Sequence, residues 1–254
     1  MYDYYLGGSH NFAADREAAE QVIAALPNTR HIARTNRAFV GTAVRYLLGR
    51  GVRQFLDIGS GIPTVGNVHE IVHDTDREAT VVYVDTDPVA VAHSTAILTD
   101  TPRATAIHAD LRDPRAILAH DDVRALLDLD QPVGLLMMSM LQFVPDDQAY
   151  PAVAHLRNVL APGSYVALSH VAVEALTPDS SSAVAGIYHR SITPTSAMRD
   201  RTKIQQFFEG LEMVQPGLVW ISQWAPGAVI DPEDSPTSIA LLAGIGRKPD
   251  AEAH

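Results

Sequence analysis

Three times before residue 111 a strand-length apolar run closes on an aspartate, and this recurrence constrains the fold more than any other feature. Phe55-Leu56-Asp57-Ile58 runs into Gly59-Ser60-Gly61, Val81-Val82-Tyr83-Val84 ends at Asp85, and Ala106-Ile107-His108-Ala109 leads to Asp110. The runs are continuously apolar rather than alternating, which predicts strands covered on both faces, as in a parallel sheet with helices on either side. In such a sheet the carboxyl ends of the strands share one edge, and ligands bind in the crevice outside it. One aspartate there would serve equally well as an N-cap for the following helix. Three in succession point to a common ligand site.

Apolar runs of the same kind predict strands at Gln54–Ile58, Thr80–Asp85, Thr105–His108, Val133–Met138, Ser164–Ser169, Leu218–Gln223 and Ser238–Gly244, most of them separated by helix-length segments. Helical periodicity runs from Asp15 to Leu26 and from Ile32 to Leu48, with Pro27 between the stretches and Gly49 and Gly51 closing the second. The connection Ala225–Pro236 is rich in Pro and Asp and holds no helix, so the final strand is expected to run antiparallel. The fold class is therefore α/β: a doubly wound, mostly parallel seven-stranded sheet with an antiparallel last strand and an N-terminal helical cap. The 254 residues are expected to form one domain, with the cap over 1–50, a ligand-binding half over 51–172, a lid or crossover over 173–210 and C-terminal strands over 211–254.

Composition narrows the partners. The formal charge is −11 and no Lys/Arg run exceeds two residues, which argues against nucleic acid or an anionic membrane surface as partner. There is no cysteine, so disulfides, thiolate zinc sites and a cysteine nucleophile are all excluded. The first residues, Met1-Tyr2-Asp3-Tyr4-Tyr5, lack the basic and apolar regions of a signal peptide, and no apolar run approaches the roughly 18 residues of a spanning helix. The expected location is the cytoplasm.

The turn after the first strand supplies glycines where a backbone must approach a ligand closely. Asp85, 24 residues beyond Gly61, is placed to accept from both ribose hydroxyls of an adenosyl ligand, with Thr86 beside it. Asp110, followed by Leu111, is placed to meet the adenine amino group. The turn has Pro63 instead of the third glycine of a dinucleotide fingerprint, which disfavours a pyrophosphate seated on the helix N-terminus as NAD requires.

These residues resemble the class I S-adenosylmethionine-dependent methyltransferases. A narrower resemblance spans nearly the whole chain. Tyr2-Asp3-Tyr4-Tyr5-Leu6-Gly7-Gly8 with Asn11-Phe12-Ala13-Ala14-Asp15-Arg16 is similar to the opening of an actinobacterial methyltransferase family, family 19, formerly a domain of unknown function. Arg34, Asn36-Arg37-Ala38-Phe39, Pro63-Thr64 and Asn67-Val68-His69-Glu70 match it as well. So do Phe207-Phe208-x-Gly210-Leu211-Glu212 and Pro216-Gly217-Leu218-Val219. Members of that family carry a few residues ahead of this tyrosine, so Met1 is expected to be an internal or trimmed start. The resemblance implies S-adenosylmethionine as cofactor and S-adenosylhomocysteine as product. The cofactor site would comprise Asp57, Gly59, Ser60, Gly61, Asp85, Thr86, Asp110, Leu111, Ser139 and Met140, with Tyr5, Gly8, Asn36 and Arg37 reaching its amino-acid end. Arg37 could pair bidentately with the carboxylate there, or serve only as a surface cation of its helix.

Methyl transfer needs mainly position, because the sulfonium is already activated and in-line approach in a dry pocket supplies most of the rate. In this fold the loop after the fourth strand, Ser139-Met140-Leu141-Gln142-Phe143-Val144-Pro145, lies beneath the sulfonium. It is apolar and lacks the N-P-P-Y or D-P-P-Y tetrapeptide of enzymes that methylate exocyclic amines, which suits a small-molecule acceptor methylated at O, N or C. Secondary metabolism is the expected setting. His170 closes the fifth strand and is a candidate base, with Tyr188 and His189 on the lid behind it and the serine cluster Ser180-Ser181-Ser182 ahead of them. His69-Glu70-Ile71-Val72-His73 also spells H-E-x-x-H, a zinc-peptidase pattern, but on a crossover helix that must pack on the sheet, so no metal is expected. Two other readings share the same cofactor contacts: a non-catalytic S-adenosylmethionine-binding regulatory module, and an enzyme using another carbon of the sulfonium by aminocarboxypropyl transfer or cyclisation. The sequence gives no indication of oligomeric state.

Overall fold

The computed structural model describes residues 1–62, 66–177, 179, 182, 186–187, 197–224 and 239–250. Among the described residues eight strands form one sheet: β1 (Gln54–Ile58), β2 (Thr80–Asp85), β3 (Ala104–His108), β4 (Gly134–Met138), β5 (Tyr165–Val171), β6 (Glu212–Met213), β7 (Val219–Trp220) and β8 (Leu241–Arg247). Their order is β3-β2-β1-β4-β5-β8-β6, with β7 also paired to β8. Neighbours from β3 to β5 pair in parallel, whereas β8 runs antiparallel to β5, β6 and β7. The chain builds outward from β1 to β3 and then returns to β4 on the other side, so the order reverses between β1 and β4. Ligand crevices form at such a reversal.

Each apolar run in the sheet serves two cores, which is why the runs do not alternate. Leu56, Ile58, Val82, Val84, Leu135, Met137, Val166 and Leu168 face one side, under the helices Pro114–Ala119, Asp121–Leu126 and Asp146–Val159. Phe55, Val81, Tyr83, Leu136, Tyr165 and Ala167 face the other, under α3 (Thr29–Gly49) and α4 (Val68–Thr75). Helix α3 buries Phe39, Val40, Ala43, Val44, Leu47 and Leu48, the three- and four-residue spacing of a single helical face. It lies so close to β4 that a Cβ on Gly134 would meet Leu47 at 2.7 Å.

The cap contains one helix more than the periodicity predicts. Helix α1 (Tyr2–Leu6) precedes α2 (Ala13–Ala25), and Gly7 ends it in the left-handed region at φ 83°. Tyr5 is buried among Ala18, Ala19, Val22, Ala33 and Ile187, a small core of the cap's own.

The C-terminal strands depart from the expected boundaries. Leu218–Gln223 yields only the two residues of β7, because the chain then turns into a 3-10 helix at Ile221–Trp224. The Gln223 side chain accepts the Trp220 amide at 3.1 Å, and the Trp224 indole donates to Ala243 O at 2.9 Å. The last strand starts three residues later than predicted and runs through Gly244 to Arg247. Gly244 and Gly246 stay inside it because Phe208 and Leu211 press on the sheet there, and a Cβ at either position would lie within about 3.0 Å of them. The two-residue β6 makes the sheet eight-stranded rather than seven-stranded. The connection Ala225–Pro236 lies outside the described residues. No helix among the described residues is long and apolar enough to cross a membrane.

Candidate active site

The turn after β1 is laced to the end of β2. The amides of Gly59 and Ser60 both donate to Val84 O, at 2.8 and 3.3 Å, and Gly61 N–H donates to Asp85 Oδ2 at 2.7 Å. Asp85 Oδ1 accepts the Asp87 amide at 2.9 Å. Gly59 has φ 71°, and a Cβ there would lie 2.6 Å from Met140 Cβ, so backbone conformation and close approach both demand glycine. The glycine turn is thereby pressed against the loop that follows β4.

Three carboxylates mark this edge, each in a different electrostatic setting. Asp57 is 7% exposed, and its carboxyl is pushed up to about 7, chiefly by burial; the Arg37 guanidinium pulls it back and Asp85 adds to the rise. Asp85 is also raised, because burial outweighs the amides of Asp87 and Gly61. Asp110 behaves oppositely. Burial alone would raise it, but Arg112 donates to it from side chain and backbone and holds the carboxyl below its usual range. His108 Nε2 donates to Thr86 O at 3.0 Å, tying the end of β3 to the rim of β2, and Leu111 is buried in the core beneath.

Opposite the glycine turn, Ser139 leaves β4 at φ 52°, a strained value for a residue with a side chain. Its amide donates to Ser169 O at 3.0 Å, and Gln142 Nε2 donates back to Ser139 O and Oγ at 2.6 and 3.0 Å. Ser169 Oγ in turn donates to Asn36 Oδ1 at 2.6 Å, and Asn36 Nδ2 donates to the Tyr2 hydroxyl at 2.9 Å. Asn36 is thus a buried link from α1 to β5. Its neighbour Arg37 is half-buried, and the Arg37 Nε is buried without a hydrogen-bond partner. Gly8 packs on Asp3, where a Cβ would lie 2.0 Å from Asp3 Oδ1, so its role within the cap is close packing.

His170 is fully buried, and both ring nitrogens are engaged. Nδ1 donates to Val171 O at 2.6 Å, and Nε2 accepts from Arg199 Nη1 at 2.9 Å. Burial depresses its pKa to about 3, and the nearby Arg199 charge adds to the effect. Sequence reasoning missed Arg199, which lies 29 residues on and is itself fully buried. Arg199 donates to Leu141 O and Val144 O, each at 2.7 Å, and pairs with Asp146 at 2.9 Å. Nothing in the residues around Arg199 separates it from a surface arginine. Tyr188 and His189 lie outside the described residues.

In the H-E-x-x-H stretch all three polar groups have internal partners. His69 Nδ1 lies 2.8 Å from the Tyr83 hydroxyl, Glu70 Oε2 accepts the Asn67 amide at 2.9 Å, and His73 Nε2 donates to Ala79 O at 3.0 Å. Glu70 and Asn67 form a helix capping box. Among the described residues no group of three or more His, Asp or Glu could hold a metal ion.

The structure therefore brings Asp57, Gly59, Ser60, Gly61, Asp85, Ser139, Met140 and Arg37 around the reversal between β1 and β4, and sets Asp110 and Thr86 at the β3 rim. Tyr5 and Gly8 are engaged within the cap. A family model described as S-adenosyl methyltransferase matches residues 1–249. Two solved structures each share 37% identity and a TM-score of 0.91 over 98% of this chain. One is a candidate methyltransferase from Thermobifida fusca YX, of which 93% is covered, and the other a DUF574 family protein from Streptomyces avermitilis MA-4680, of which 95% is covered. An O-methyltransferase family protein from Burkholderia thailandensis shares the fold at 14% identity and TM-score 0.53, over 89% of this chain and 61% of its own. No curated protein matches.

Proposed function

The chain belongs to the S-adenosyl methyltransferase family and is an S-adenosylmethionine-dependent methyltransferase, and from that premise we propose that it methylates O, N or C of a small-molecule metabolite held at the carboxyl edge between β1, β4 and β5. The observation that carries the placement is Asp85. Both of its carboxylate oxygens are fixed by amides, from Gly61 and Asp87, and each retains a lone pair for a ribose hydroxyl. The polar groups around it fit the rest of the cofactor. Arg37 Nε is a buried donor without a partner and suits the carboxylate, while Asp57 and the unpartnered Gln142 Oε1 suit the positive charges. Asp110 remains the candidate for the adenine amino group, at the cost of sharing its carboxylate with Arg112.

Bound here, the cofactor supplies an activated methyl group. The protein's part is to orient and to exclude water. The apolar side chains Leu141 and Val144 help form the floor of the loop after β4, and Phe207 stacks on His170 behind it. His170 serves this floor as a neutral acceptor for Arg199, a positioning role rather than a proton-abstracting one. A small-molecule acceptor is supported further by the acidic charge balance and by an apolar loop after β4. A setting in secondary metabolism accompanies this reading on the strength of the family resemblance.

Calorimetric titration with S-adenosylmethionine tests the placement. Asp85→Ala should weaken binding by about 1.5–3 kcal/mol, the range for hydrogen bonds to a charged group. Unchanged affinity would remove the ribose assignment. Incubation with candidate small-molecule acceptors should then release S-adenosylhomocysteine, whereas methylthioadenosine would mark transfer of the aminocarboxypropyl group.

A further inference from the structure

One buried polar atom beside the site has no partner within the protein. Gln142 is 8% exposed, and its Oε1 is buried with no hydrogen bond. The amide cannot be turned the other way round. The group facing Ser139 O must be a donor, because a carbonyl oxygen only accepts, and that contact is 2.6 Å. The oxygen is therefore the orphan. Such a group costs stability unless something supplies it with a donor or a positive charge.

The surrounding structure holds this oxygen in place. Ala197 N–H donates to Gln142 O at 2.7 Å. Arg199 clamps the carbonyls of Leu141 and Val144 on either side, at 2.7 Å each, and is itself fully buried. The side-chain amide is bonded back to Ser139, at the carboxyl end of β4, so Oε1 lies on the strand-end side of its loop. Two residues before it, Met140 touches the glycine turn of β1. The orphan acceptor thus sits at the β1–β4 reversal, on the β4–β5 side of a ligand whose ribose end is placed at β2. That is where the proposed placement puts the sulfur of the cofactor. A hydrogen-bond acceptor fixed there interacts with a cationic sulfur and has little to offer a neutral one.

We propose that Gln142 distinguishes the cofactor from its demethylated product by placing Oε1 against the sulfonium, so that S-adenosylmethionine is held and S-adenosylhomocysteine is released. The two ligands share adenine, ribose, carboxylate and ammonium, and differ only in the methyl group and the charge on sulfur. The inference rests on the cofactor lying along the carboxyl edge as proposed above.

The experiment is calorimetric titration of wild type, Gln142→Leu, Gln142→Glu and Asp85→Ala with each of the two ligands, with thermal unfolding to confirm that each variant is folded. Gln142→Leu should lower the ratio of S-adenosylmethionine to S-adenosylhomocysteine affinity by roughly tenfold, a charge–dipole contact comparable in size to one hydrogen bond to a charged group. Gln142→Glu puts a second oxygen opposite Ser139 O, so its carboxyl keeps a proton there, leaves a neutral carbonyl oxygen toward the sulfur and should hold the ratio near that of wild type. A structural role for the loop would weaken both ligands alike and leave the ratio where it was in Gln142→Leu, and that result overturns the proposal. If the ratio is unmoved while Asp85→Ala weakens both ligands, the edge placement stands and the role of Gln142 falls. If Asp85→Ala weakens neither, the placement falls and the proposal with it.

Discussion

Asp57 lies between Arg37 and Asp85 with its carboxyl pushed up to about 7 by burial, so near neutrality the folded protein carries it partly protonated. The groups facing it are Arg37 from α3, Asp85 from β2, and the Tyr83 phenol, whose own titration Asp57 raises. A ligand with a net positive charge favours the ionised form. Binding of S-adenosylmethionine at pH 6.5 should therefore release part of a proton, seen as a binding heat that changes with the ionisation enthalpy of the buffer. Asp57→Asn should abolish that dependence. The stability effect follows from the same shift. The folded pKa is above the unfolded value of about 3.9, so the contribution of Asp57 is complete below about pH 4 and is lost as pH rises through 7. Its position was readable from the sequence as one of three strand-end aspartates. Its proton affinity was not, because that depends on α3 burying a residue that lies some twenty positions beyond Arg37.

At the scale of elements, the parallel half of the sheet was legible because burial on both faces writes itself as an uninterrupted apolar run. The antiparallel half was harder. Glycines at 244 and 246 look like the end of a strand, yet they are there to let Phe208 and Leu211 approach it, a reason that lies in another element. The stem that carries Arg199 is the clearest case of an element joined to the site by one side chain. Arg199 binds Leu141 O, Val144 O, His170 and Asp146, and lies over the Tyr150 and Phe207 rings. Arg199→Met should destabilise the protein by about 2–5 kcal/mol, because it leaves the buried carbonyls of Leu141 and Val144 without a donor, each costing about 1–3 kcal/mol. Urea unfolding would measure it, and a loss under about 1 kcal/mol would mean that the loop after β4 holds its shape without the clamp. Arg199→Lys should recover little, since an ammonium cannot reach two carbonyls in the guanidinium's fixed fork.

Across the whole molecule, a polar chain of Tyr2, Asn36, Ser169, Ser139 and Gln142 connects the N-terminal cap to the loop after β4. The half of the candidate site at the ends of β1 and β2 was legible because its residues lie at strand ends in sequence order. The half at the loop after β4 was not, because its defining contacts join residues 141 to 146 with 170 and 199. His170 illustrates this. A histidine at a strand end reads as a base, and only the fold reveals an arginine occupying its free nitrogen. Its burial has a consequence for the global pH response. The folded pKa, about 3, is below the usual value near 6.5, so stability is full above 6.5 and is lost as pH falls from there towards 3. Denaturant midpoints should decline between pH 6.5 and 5, and His170→Gln should be less stable at pH 7 yet show a shallower decline. An unchanged slope in that variant would assign the acid response elsewhere.

Ala172 and Arg199 meet in a parallel bridge, with Val173 N–H donating to Arg199 O at 3.1 Å. The two ends of the stretch between them are therefore held together at one joint. Lengthening a chain that is already closed at its base costs little, because closure entropy grows only with the logarithm of its length. The sheet edge is in this respect a chassis whose joint, rather than the length of chain beyond it, fixes where Arg199 stands.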